Sequence, residues 1–158
     1  RTGVNQRTLY RRFKTRDGLL SAFWRWANQD AGITAWPQSR EQALDFIEHL
    51  FAYFDGDERL IRSGIHSAEG RKMLALVAEA RRASALAIAS STSDRLSEDD
   101  RLALAAAASI LQSPQAWEIL RDLWGLSDKR LYRVSRRMLE LSLQGTGRPR
   151  PPRIGRAK

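Results

Sequence analysis

Apolar residues recur through most of this chain at intervals of three and four, the spacing that lines one face of an α-helix. Leu19, Leu20, Phe23, Trp24 and Ala27 predict a helix over residues 16–29, with Thr15 as its N-cap, and Gly32 and Pro37 break the pattern that follows. Ser39-Arg40-Glu41-Gln42 fits a capping box, the serine accepting from an early amide and the glutamine reaching back to the cap. It opens a helix that carries Ala43, Leu44, Phe46, Ile47, Leu50, Phe51 and Phe54, closed by Asp55-Gly56-Asp57. A short helix is predicted over 58–66 and a long one over 68–91, whose apolar stripe is Met73, Leu76, Val77, Ala80, Ala83, Ala87 and Ile88. The pattern predicts an all-α fold.

The second half repeats the theme with a different balance. Ser97 is a good N-cap, and Glu98, Asp99 and Asp100 suit the positive end of the helix it opens. Residues 102–111 carry no charge on any side, so that helix is expected to be buried all round, against a second molecule or at the centre of the bundle. Ser113-Pro114 starts another helix, with Trp117, Leu120 and Trp124, that Gly125 stops. The last helix, 128–143, has two apolar rows: Leu131, Val134, Met138 and Leu141 in one, Tyr132, Leu139 and Leu143 in the other, with Ser135 and Ser142 between. That arc is too wide for one neighbour, so one row is expected to face a partner helix in an isologous four-helix contact. Leu102, Ala106, Ile110, Leu131, Val134, Met138 and Leu141 are the candidate dimer surface.

The start of the chain reads as the second half of a helix-turn-helix. Gly3 suits a tight turn between helices, and Asn5 a cap for a short helix over residues 6–14. At 100° per residue, Gln6, Arg7, Tyr10, Arg11 and Lys14 share an arc of roughly 140°, while Leu9 and Phe13 lie on its inner edge. Arginine forks onto guanine, glutamine pairs with adenine, and Thr8, Tyr10 and Lys14 suit phosphate. A solvated basic face accounts for the same charge run. The net charge of +9 is concentrated at the ends. Residues 1–16 hold six bases and residues 145–158 five, neither with an acid, while the body has 16 bases against 18 acids. A polyanion is the natural partner for the N-terminal end.

Gly3-Val4-Asn5, Arg7-Thr8-Leu9-Tyr10-Arg11-Arg12-Phe13 and Thr15-Arg16-Asp17-Gly18-Leu19-Leu20 together resemble the recognition-helix signature of the TetR family of bacterial transcriptional regulators. The resemblance implies a DNA-binding domain ending near residue 18, a helical effector-binding and dimerisation domain over 19–144, and a tail over 145–158. It puts Asn5, Gln6, Arg7 and Arg11 near bases, Tyr10, Lys14 and Arg16 on phosphates, and Val4, Leu9 and Phe13 in the core. A homodimeric cytoplasmic repressor is then expected, reading a near-palindromic duplex and released by a small apolar effector. A supporting first helix and nearly all of a second would precede Arg1, so the native protein is expected to continue upstream by several tens of residues.

Little else carries chemistry. The chain has no cysteine, and neither of its two histidines, His49 and His66, has a partner at metal-ligand spacing. Without a phosphate loop, nucleophile elbow or paired-carboxylate pattern, the chain reads as a non-enzyme with no cofactor and no metal. Phe51, Phe54, His66, Met73, Leu76, Trp117 and Trp124 are the candidate effector pocket, although aromatics at helical spacing equally suit a plain core. The tail from Gly145 to Lys158 has nothing to bury and is expected to be disordered and basic. The rival reading is a helical interaction module that binds RNA or acidic partners without sequence choice.

Overall fold

The computed structural model describes residues 12–144 other than positions 31, 34 and 94. Regular structure among them is entirely helical: α1 (Arg16–Asp30), α2 (Arg40–Gly56), α3 (Glu58–His66), α4 (Ala68–Leu76), α5 (Ala78–Thr92), α6 (Glu98–Leu111), α7 (Pro114–Asp122) and α8 (Asp128–Gln144). Serine and threonine set many of the starts. Thr15, Ser39, Ser67, Ser97 and Ser113 each accept from the backbone N–H three residues on, satisfying a donor that the helix leaves free. Gln42 is displaced by one residue from the expected box. Its Oε1 accepts from the N–H of Gln38, at 2.8 Å, and not from that of the Ser39 cap.

One dense core ties α2, α5, α6, α7 and α8 together. Ala43, Ile47, Leu50 and Phe51 of α2 meet Ile88 and Ala89 of α5, Leu104 and Ala108 of α6, Trp117 of α7, and Leu131, Leu139 and Leu143 of α8. The closest pairings are α5 with α6 and α2 with α8. Alanines at Ala85, Ala89, Ala105 and Ala108 are buried where α5 and α6 approach, the small side chains letting two helices lie close. On the other side α3 packs on α4, and α1 packs on α4.

The single helix expected over 68–91 is two helices. Val77 lies between them in a non-helical conformation (φ −106°, ψ 2°), its N–H shared between the carbonyls of Leu74 and Ala75. The break re-aims the chain, so the expected stripe is not one line. Met73 is buried in α4, whereas α5 buries Ser84, Ala85, Ile88 and Ala89, and Leu76, Ala80 and Ala83 are exposed. Buried Ser84 donates to the carbonyl of Pro37 at 2.5 Å, which anchors α5 to the loop before α2.

Two further expectations change in detail. Helix α6 is not buried all round in the single chain: Leu104, Ala105 and Ala108 face the core, and Leu102, Ala106 and Ile110 are exposed. In α8 the buried row is Leu131, Ser135, Leu139 and Leu143, each four residues from the last. Leu131 therefore leaves the row assigned to a partner and sits fully inside the chain's own core, while Val134 and Met138 are half-buried and Leu141 is exposed. A row of i, i+4 positions drifts slowly around a helix, so two rows set at 100° per residue exchange members when the neighbouring helix crosses at an angle.

Candidate functional site

Helices α1, α2, α3, α4 and α5 with the α6–α7 turn enclose a cavity of about 200 Å³. Its wall is mostly apolar: Phe23 from α1, Ile33 and Trp36 from the following loop, Leu50, Tyr53 and Phe54 from α2, Ile61 and Ile65 from α3, and Met73 and Leu74 from α4. Gly64 and Gly70 explain why this corner closes as it does. A Cβ on Gly70 would lie 1.7 Å from the carbonyl oxygen of Gly64, so α3 and α4 meet backbone to backbone and no side chain stands between them. Beside their apolar residues, α3 and α4 bring Ser63, Gly64 and Gly70 to this space, small residues that fill little of it.

Two charged residues line this cavity, Glu69 and Arg81. Glu69 accepts from the exposed guanidinium of Arg16 at 2.7 Å, which fastens the start of α1 to α4. Arg81 is a different case. Its Nη2 donates to the carbonyls of Ser109 and Gln112, at 3.2 and 3.4 Å, where the C-terminal end of α6 concentrates partial negative charge. Its guanidinium carbon lies 6.0 Å from the centre of the Trp36 ring. Burial lowers its pKa from the ordinary value, because the charged form has lost solvent.

A second cluster of polar groups lies on the far side of Phe54, around Trp117. The fully buried indole is flanked by two guanidiniums, Arg62 and Arg121, each 5.3 Å from the ring centre. Asp55 accepts from Trp117 Nε1 at 2.9 Å and from the Tyr132 hydroxyl at 2.6 Å, and pairs with Arg121. Arg62 forks onto Asp122, with both contacts at 2.7 Å, and also donates to Glu58 and Glu118. The hydrogen bonds to Asp122 raise the Arg62 pKa and, from the other side, lower that of Asp122. Burial, followed by the hydrogen bond to Asp55, pushes the Tyr132 hydroxyl up to about 12. These contacts between members brace α2, α3, α7 and α8 against one another.

The pocket candidates scatter over these features. Phe54 and Met73 line the cavity. Phe51 and Trp117 are fully buried in the dense core, where neighbours fill the space around them. His66 is exposed, its Nε2 2.9 Å from Glu118. Leu76, at the end of α4, is 65% exposed, and Trp124 is 69% exposed. Trp124 follows the end of α7, in a turn that Gly125 makes with φ 61°, so it does not continue the helical face of Trp117.

Of the DNA-contact candidates, Asn5, Gln6, Arg7, Thr8, Tyr10 and Arg11 lie outside the described residues, as do the tail residues 145–158. Lys14 is exposed with φ 48°, a left-handed residue that separates the preceding segment from α1. Arg16 is exposed and engaged by Glu69. Phe13 is half-buried. Among the described residues no group of three or more His, Asp or Glu side chains is arranged to hold a metal ion, and no helix is long and apolar enough to cross a membrane.

Arg81 and the Trp117 network were not visible in the periodicity, though partial signals existed. Glu58 with Arg62 and Trp117 with Arg121 are both i, i+4 pairs. Gly64 and Gly70, inside helical patterns, marked a close backbone approach. Arg81 interrupts an alanine-rich run, which by itself distinguishes it from no other surface arginine. Comparison with protein-family models, curated proteins and solved structures found no match to this chain.

Proposed function

We propose that this chain belongs to a TetR-type transcriptional regulator, a cytoplasmic repressor that leaves a near-palindromic operator when a small effector enters the helical body. The observation that carries the reading is the mechanical position of α1. It follows directly on the basic segment that resembles a recognition helix, contributes Phe23 to the cavity wall, and is fastened through Arg16 to Glu69 of another wall. An occupant that displaces Phe23 or α4 shifts α1, the helix that follows the basic segment in sequence. Release is then a population shift whose size is the difference in effector affinity between the two positions.

The exposed apolar residues Leu102, Ala106 and Ile110 on α6 and Leu141 on α8 support pairing with a second copy, which two successive major grooves require. Selection from random duplexes with the full-length protein tests the reading. Enrichment of an inverted repeat whose half-sites lie about 34 Å apart is expected; recovery of duplexes without any shared sequence would instead favour a module that binds polyanions by charge. Arg7→Ala and Gln6→Ala should each flatten discrimination among operator variants, while Lys14→Ala weakens every sequence alike.

A further inference from the structure

The cavity wall is mostly apolar, and one of the two charged groups in it is a cation with unused donors. Arg81 commits Nη2 to the α6 carbonyls, while among the described residues its Nε and Nη1 make no hydrogen bond to the protein and its guanidinium joins no ion pair. The carbonyls of Ser109 and Gln112 and the face of Trp36 offset part of the cost of burying the charge. None of the three supplies a full negative charge. A half-buried positive group without a counterion attracts an anion more strongly than it would in open water. Glu69, the other charged residue of the lining, is paired with Arg16.

We propose that the cavity takes a small amphipathic carboxylate, its head on the free edge of Arg81 and its hydrocarbon body against Phe54, Ile61 and Met73. The proposal rests on reading this cavity as the effector site and adds the chemical class of the effector. At about 200 Å³ the space lies below that of pockets for drug-sized ligands, which restricts the body to a short chain or a single ring. A neutral ligand of the same shape leaves the guanidinium unpaired, and an ammonium sets like charge against it.

Octanoate, octanol and octylamine carry one hydrocarbon body on three heads, and isothermal titration calorimetry on the full chain measures their affinities directly. Octanoate is expected to bind about tenfold or more tighter than octanol, as a charge-assisted hydrogen bond allows, and octylamine weakest. Arg81→Met should bring octanoate and octanol to within about twofold of each other. Gln112→Glu keeps the arginine but places a carboxylate beside it, and should weaken octanoate about tenfold while sparing octanol. This second variant and the wild-type preference decide the matter even if Arg81→Met does not fold.

Octanol binding as tightly as octanoate, or a preference for octanoate that survives Arg81→Met, overturns the proposal and leaves the cavity reading standing. No binding by any of the three overturns both. Octanoate bound through Arg81 by a protein that selects no inverted repeat supports the anion site and removes the regulator reading.

Discussion

The bundle has two halves of unequal density. Where α2, α5, α6, α7 and α8 meet, Ile47, Phe51, Ile88, Trp117, Leu131 and Leu139 are each 0 or 1% exposed and fill the space between helices. Where α1, α3 and α4 meet α2 and α5, Ile61 and Met73 are the buried apolar residues that α3 and α4 supply, and a cavity remains. The nine-residue helices α3 and α4 present a narrow buried stripe, and they touch through Gly70 against the Gly64 backbone, whereas α2 and α8, with 17 residues each, interlock along their length. A side of the molecule that holds few large side chains stays open to a ligand, and the other side holds the fold while it does.

Truncating one residue in each half breaks or sharpens the contrast most strongly. Trp117→Ala removes the best-packed side chain and an indole donor to Asp55, and is expected to cost about 3–5 kcal/mol in urea unfolding. Met73→Ala, beside a space already open, loses fewer contacts and should cost about 2 kcal/mol. Equal losses would mean that the cavity is filled in solution. Gly70→Ala comes next, at about 1–3 kcal/mol, because its methyl would overlap the Gly64 carbonyl. Gly64→Ala meets nothing within 4 Å and should be neutral or stabilising by up to about 1 kcal/mol, through helix propensity alone. Thermal melts of the two variants side by side test whether the contact is as one-sided as this.

The smallest effect concerns pH. Because the Tyr132 hydroxyl titrates near 12 in the fold against about 10 in an unfolded chain, the native state holds its proton longer. Stability is therefore unaffected below pH 10 and falls as pH rises from 10 towards 12. Tyr132→Phe should remove that part of the alkaline slope, seen as a shallower fall of the urea midpoint between these pH values. An unchanged slope would place the tyrosine in water and detach it from Asp55.

How far each half can be read in advance follows the same division. The dense half rests on long apolar runs, and Ala43, Leu44, Ile47, Leu50, Phe51 and Phe54, named for α2 from their spacing, are the residues it buries. The cavity half was harder, because its form depends on a helix break at Val77 that apolar periodicity does not register. Leu76 and Trp124 belong to the apolar pattern yet point to solvent, since one ends a helix and the other follows one. Arg81 shares its spacing with any surface cation, and only the crossing of α6 brings its Nη2 to the carbonyls of Ser109 and Gln112.

Local chemistry was enough to determine the all-helical character, the caps at Ser39, Ser97 and Ser113, and which residues of α2 and α7 turn inward, because capping and periodicity act within a few residues. Tertiary structure alone decided that α3 and α4 close on a glycine contact, that a guanidinium stands in an apolar wall, and that two arginines flank one indole. Trp36, Arg81 and Gln112 lie far apart along the chain, and only the crossing of helices brings them to one end of the same space.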